Sequence, residues 1–279
     1  MSEVLERTET RATRREGREA LKSALGRAGA VAAVDLGASK VSCFIMRPEG
    51  IRRADRTLVT AGVGYVQSHG VRAGAIVDAE EAARAVAQAV ERAETMAGVD
   101  VQGVVVSTAC GHLASHRVAA QVSIGGRPIG DADKSRAVVQ AMAGLRLARR
   151  QAIHLQPIAW SVDGERRVRD PAGLVGRKLG LELLVISMQE AAFQTIRHCV
   201  ERAHLQFEGV VAAPFASALA ALEEDEMQLG AICIDMGGGS TSVAVWSGGA
   251  LVHVDSFGVG GQHVTQDIAR GLSTSIAGA

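Results

Sequence analysis

Two short segments, far apart in the chain, share one unusual pattern. Val31-Ala-Ala-Val-Asp35-Leu-Gly-Ala-Ser39 and Ala231-Ile-Cys-Ile-Asp235-Met-Gly-Gly-Gly-Ser-Thr241 are each an apolar run that ends in Asp-x-Gly and is followed at once by a second β-rich run. A strand that turns back on itself through Asp-x-Gly brings successive backbone N–H groups together, and glycine lets that backbone approach a ligand closely. The aspartate at the strand end can hold Mg²⁺ through the metal's waters, because magnesium dehydrates reluctantly. One such turn is commonplace. Two, each after an apolar strand, describe duplicated halves that face a shared cleft. The residues expected at a phosphate tail are Asp35, Gly37, Ala38, Ser39 and Lys40 from the first loop. The second loop contributes Asp235, Gly237, Gly238, Gly239, Ser240 and Thr241. Asp35 and Asp235 are the expected water-mediated magnesium residues.

Other phosphate motifs are absent: there is neither a Gly-x-x-x-x-Gly-Lys-Ser/Thr loop nor a Gly-x-Gly-x-x-Gly after a strand. Lys and Arg together number 30, as do Asp and Glu, and aromatics are 3% of the chain, so charge and stacking give no case for nucleic acid. No apolar run is long enough to span a bilayer. Residues 1–28 read as a charged, solvated tail rather than a signal peptide. Cys43, Cys110, Cys199 and Cys233 form no Cys-x-x-Cys pair and read as small buried thiols. His112 and His116 have helical ligand spacing but no acidic partner, and Arg166–Arg169 reads as a solvated loop.

Between the loops, pattern and punctuation predict strands over Thr57–Val66, Val101–Thr108, Val118–Ile124, Ile153–Val162, Leu179–Ser187 and Gly209–Ala213. Helices are predicted over Asp78–Ala97 and Asp131–Arg150, each capped by its first aspartate, and over Gln189–Ala203, Phe215–Leu222 and Gln262–Leu272. Glu223–Gln228 reads as an acidic turn at a domain boundary.

Several segments together resemble the FtsA family of actin-like bacterial cell-division proteins. Val34-Asp-Leu-Gly-Ala-Ser-Lys-Val41 and Ile234-Asp-Met-Gly-Gly-Gly-Ser-Thr241 look like its two phosphate loops, though actin, Hsp70 and sugar kinases share these. The discriminating segments are Gly70–Asp78, Ser107-Thr-Ala-Cys-Gly-His112, Asp170-Pro-Ala-Gly-Leu-Val-Gly176 and Val264–Leu272. The resemblance implies an α/β, actin-like fold with subdomain 1A at 29–78 and 188–222, an inserted SHS2-like subdomain 1C at 79–187, and the start of subdomain 2A at 223–279. It also implies ATP and Mg²⁺ as ligands and self-association into filaments. Expected partners are FtsZ and, through 1C, other divisome proteins, at the cytoplasmic face of the inner membrane. The rest of 2A, all of 2B, the adenosine-binding glycine motif and the membrane-binding C-terminal helix would follow Ala279. A second lobe incomplete in this way implies a cytoplasmic chain that binds ATP weakly or not at all.

Two other classes compete. A sugar-kinase-like phosphotransferase needs a carboxylate base at the sugar hydroxyl. Val211-Ala-Ala-Pro-Phe-Ala-Ser217, expected beside the cleft, offers neither an acid nor a glutamine to orient water, which allows at most a weak ATPase. A pilus-assembly adaptor with a similar insert is the other; the Asp170–Gly173 and Asp267 segments favour the division family.

Overall fold

The computed structural model describes residues 29–49 and 57–279. The tail expected at 1–28 lies outside the described residues. Val31–Leu36 (β1) and Lys40–Glu49 (β2) form the first antiparallel hairpin, and Thr57–Gln67 (β3) continues it. After a small hairpin of Val71–Arg72 (β4) and Ala75–Ile76 (β5), the chain enters helix α1, Ala79–Ala97. Gly103–Thr108 (β6) then pairs parallel with β1, and Gln206–Ala212 (β11) pairs parallel with β6. The first sheet therefore runs β11-β6-β1-β2-β3.

The helix packs on this sheet because its small apolar residues recur on one stripe. Ala82, Val86, Ala89, Ala93 and Ala97 are all buried. Asp78 caps it as the sequence predicts, its Oδ1 accepting from Glu80 and Glu81 N–H at 2.9 and 3.0 Å. Gly98 ends it in the left-handed conformation, at φ +65°. On the sheet side, Gly62 and Gly64 of β3 let the helix backbone come close: a β-carbon there would stand 2.1 Å from Ala93 O and 2.0 Å from Ala89 O.

The insert follows as Ala114–Pro128 (β7), α2 (Asp131–Ala143), Arg150–Val162 (β8), Glu165–Val168 (β9) and Val175–Gln189 (β10). Its own core gathers Ile124, Ile129, Ala137, Ala141, Trp160, Leu179 and Leu181. Three sequence expectations change here. Helix α2 stops at Ala143 rather than Arg150, because Gly144 breaks it and Arg150 opens a strand paired with Gln189. Its cap is Gly130, not Asp131: the Asp133 carboxylate accepts the Gly130 N–H at 3.0 Å. Residues 165–168 are a strand rather than a loop, held by the Trp160–Val168 and Val162–Glu165 pairings.

After Glu190–Arg202 (α3) and β11 come Ala213–Ala221 (α4) and Glu224–Leu229 (α5). The acidic turn expected at 223–228 is thus mostly a short helix, its start fixed by Glu223 N–H donating to Glu226 Oε2 at 2.9 Å. Ala231–Met236 (β12), Thr241–Ser247 (β13) and Ala250–Phe257 (β14) form a meander, and Gly261–Gly271 (α6) follows. The meander and the insert share one seven-stranded sheet, β12-β13-β14-β7-β10-β8-β9, joined by the pairing of Asp255 with Ala114. Side chains reinforce that joint: Leu113 N–H donates to Ser256 Oγ and Val254 N–H to Ser115 Oγ, both at 3.0 Å. Cys43, Cys110 and Cys199 are buried and Cys233 is half-buried. Burial, aided by the charge of Glu94, pushes the Cys43 thiol up to about 12. No helix among the described residues is long and apolar enough to cross a membrane.

Candidate functional site

The two Asp-x-Gly hairpins are copies in register as well as in sequence. In the first, Asp35 pairs with Ser42 and Leu36 with Val41; in the second, Asp235 pairs with Ser242 and Met236 with Thr241. Each turn closes the same way, Gly37 N–H on Lys40 O at 3.2 Å and Gly237 N–H on Ser240 O at 2.9 Å. The two turns face one another. Their residues Asp35, Gly37, Ala38, Ser39, Lys40, Asp235, Gly237, Gly238, Gly239 and Ser240 line a single cavity of about 140 Å³.

Thr241 is not among the lining residues. Its hydroxyl donates to Val259 O at 2.7 Å, which ties the second turn to the lead of α6 and leaves no hydrogen for a phosphate. The glycines also do more than free the backbone. A β-carbon on Gly239 would lie 2.5 Å from the Ala38 Cβ, one on Gly238 2.0 Å from Ser39 Oγ, and one on Gly260 2.4 Å from Gly237 O. The second loop is therefore packed directly against the first and against the N-terminus of α6. Gly261 and Gln262 N–H donate back to Gly237 and Gly238 carbonyls at 2.9 and 2.8 Å, and the Gln262 amide reaches Ser39 Oγ at 3.2 Å.

Charge makes the cavity unusual. Burial, and then the nearby negative charge of Asp235, push the Asp35 carboxyl above its usual range; the Ser107 hydroxyl and the charge of Lys40 act the other way. Two carboxylates opposed across one cavity favour a cation between them. The Gly37 and Gly237 N–H groups close their own turns, so it is the rest of each turn's backbone, along the cavity, that is left for phosphate oxygens. The residues present thus fit a phosphate tail and its hydrated cation. Small-molecule pockets commonly measure ~300–1,000 Å³, so a cavity of about 140 Å³ accounts for that end of a nucleotide and not for the whole of it.

Sequence reasoning missed several residues here. Gly74, Ala109, Cys110 and Ser242 also line the cavity. Ser107 contacts Asp35 and Ser217 contacts Asp235. Ser42 and Ser242 could have been found by aligning the two repeats, but Ser107 and Ser217 are brought in by other elements and carry no local signal. Ala213, in the segment expected beside the cleft, does line it. His112 lies in a turn at φ +49° and His116 on β7, so the pair shares no helix face. His116 Nε2 is 2.9 Å from Ser187 Oγ, and burial with the neighbouring Arg150 charge holds its pKa below the usual histidine range.

Paired hairpins about one cleft, a sheet of order β11-β6-β1-β2-β3 and an inserted α/β unit define a protein of the actin-like fold. A solved PilM-PilN type IV pilus biogenesis complex shares this fold with a TM-score of 0.57 at 17% identity, covering 88% of this chain and 67% of that one. Family models place the rest: "SHS2 domain inserted in FTSA" matches residues 110–187 and "Cell division protein FtsA" matches residues 232–279. Cell division protein FtsA of Agrobacterium fabrum is 39% identical over 252 residues, 88% of this chain and 57% of the relative. That of Rhizobium meliloti is 41% identical over 258 residues, 90% and 58% respectively. The chain belongs to the FtsA family. It spans somewhat over half the length of the curated relatives it matches.

Proposed function

We propose that this protein acts in bacterial cell division as an ATP-dependent adaptor that links the FtsZ ring to the inner membrane and recruits later divisome proteins. Family membership supports the division role. The observation that carries the nucleotide part is the identical register of the two hairpins, which sets Asp35 and Asp235 against one cavity. Asp35 and Asp235 would hold magnesium through its waters. The backbones of Ala38 and Ser39, with those of Gly238, Gly239 and Ser240, would hold the phosphates, while Gly37 and Gly237, whose N–H groups close the two turns, would shape the loops, with Lys40 adding charge at the rim. Magnesium there would neutralise phosphate charge. Residues 29–78 with 188–222 would form subdomain 1A, into whose sheet the 79–108 segment packs as α1 and β6, so that the partner-binding 1C expected at 79–187 would be confined to its part from about residue 110 onward, and 223–279 would form part of 2A; filaments would form by self-association.

Two experiments test this. Equilibrium dialysis of the chain with ATP should show weak, magnesium-dependent retention that Asp35→Ala removes; retention unchanged in that variant would take Asp35 out of the site. A fluorescent fusion expressed in dividing bacteria should gather in a midcell band with FtsZ, and a diffuse or polar signal would argue against the division role.

A further inference from the structure

Helix α4 starts at the cleft wall. Ala213 lines the cavity, and Pro214 occupies the first turn, where a missing N–H costs nothing. One turn further, Ser217 Oγ donates to Asp235 Oδ2 at 2.8 Å. This is not what a hydroxyl within a helix ordinarily does. Such a group turns back to the carbonyl four residues earlier, and three others among the described residues do so: Thr95 to Glu91 O and Thr195 to Ala191 O, each at 2.8 Å, and Thr265 to Gly261 O at 3.2 Å. Ser217 instead leaves its own helix for the strand end of the second hairpin.

The helix that carries it is held firmly. The Phe215 ring lies between His154, tilted at 5.1 Å, and Trp246, stacked at 6.3 Å. His154 Nε2 accepts the Ala212 N–H at 3.0 Å, just before the helix begins. Insert, helix and meander therefore meet around one turn of α4, and the hydroxyl is presented from a rigid support. The first hairpin has a counterpart. Ser107 sits beside Asp35 in the parallel β1–β6 pairing, and its hydroxyl favours the charged Asp35 carboxylate against the effect of burial. Each cleft carboxylate thus has one serine partner from outside its own hairpin.

We propose that Ser217 is a positioning residue for Asp235, as Ser107 is for Asp35: each hydroxyl engages its carboxylate and fixes its rotation, so that the carboxylate meets the waters of a divalent cation in the cavity. The inference rests on the cation reading above. Partners of this outer kind typically change metal affinity about 10–100-fold.

The test uses Mn²⁺ alone on the full chain, followed by the electron-spin signal of the free ion and by paramagnetic broadening of the ¹³C carboxyl resonances of Asp35 and Asp235. Wild type should bind at millimolar metal and lose both resonances. Ser217→Ala should weaken binding at least about 10-fold and spare the Asp235 resonance, while melting like wild type. Ser217→Thr, which keeps the hydroxyl, should restore both readouts. Equal broadening in wild type and Ser217→Ala, or no rescue by threonine, would overturn the positioning role and leave the cation site standing. No broadening in wild type would overturn the cation site and this inference with it.

Discussion

Ala38 and Gly239 meet across the cleft, the Ala38 methyl filling the place where a residue at 239 would carry its β-carbon. The two phosphate-loop candidates are thus in contact, one on each hairpin, and the contact sets how closely Asp35 and Asp235 approach. It also separates two roles for glycine: Gly37 and Gly237 close their turns, whereas Gly239 makes room for the opposite loop.

Gly239→Ala should therefore force the loops apart. Overpacking of this kind costs about 1–3 kcal/mol, and denaturant unfolding should show it as a lower midpoint with an unchanged slope. Ala38→Gly removes the colliding methyl and should recover most of the loss when the two changes are combined, although alone it destabilises slightly. Additive losses in the double variant would show that the 38–239 contact is not the cause.

Gly62 and Gly64 make a stronger claim, because the atoms a new side chain would meet are backbone. A β-carbon at either position would come within 2.1 Å of a carbonyl oxygen of α1, at Ala93 or Ala89. The helix cannot yield locally without losing the buried stripe of Ala82, Val86, Ala89, Ala93 and Ala97. Gly64→Ala should cost about 3 kcal/mol or more, at the upper end of core substitutions. Amide exchange should then show α1 opening before the insert does. A melting temperature equal to wild type would refute this account of the β3–α1 contact.

How much of this was readable in the sequence follows from what each feature depends on. The Asp-x-Gly hairpins, the Asp78 cap and the extent of α1 are local, and each was placed within a residue or two. Strand β9 was not, because Arg166–Val168 becomes extended only by pairing with β8, a partner folded next to it. The excess length given to α2 has a similar origin: Leu145–Arg149 has helix-forming residues, but Gly144 ends the helix and Arg150 is claimed by β10. At the site, the loops were legible and their serine partners were not. Ser217 looked like an unremarkable small residue in Ala-Pro-Phe-Ala-Ser, and only the fold brings it to Asp235. Thr241 is the opposite case, a residue of the right type whose hydroxyl is committed to Val259.

The remaining prediction concerns acid, where two groups act in different windows. Asp133 is 1% exposed, yet its carboxylate takes two hydrogen bonds from Arg127, both at 2.7 Å, one from Arg136 at 2.7 Å and one from the Gly130 N–H. These bonds, Arg127 first, hold its pKa well below the usual carboxylate range. A depressed carboxylate lends stability that is complete above its unfolded pKa, near 4, and is lost as pH falls through that value towards the folded one. His154 works in a higher window. Burial lowers its pKa, and its neutral ring accepts the Ala212 N–H. The unfolded chain therefore binds this proton more readily, and stability falls as pH drops below about 6.5. Urea midpoints should accordingly decline in two stages, a first between neutrality and mild acid and a second below about pH 4. His154→Gln should shrink the first stage without abolishing it, because His116, whose pKa burial and Arg150 also lower, acts in the same window, and Asp133→Asn should remove the second while lowering stability at neutral pH. If His154→Gln leaves the upper stage intact, the histidine that reports acid there is another one, and the link from the insert through Ala212 to the cleft wall does not depend on its protonation.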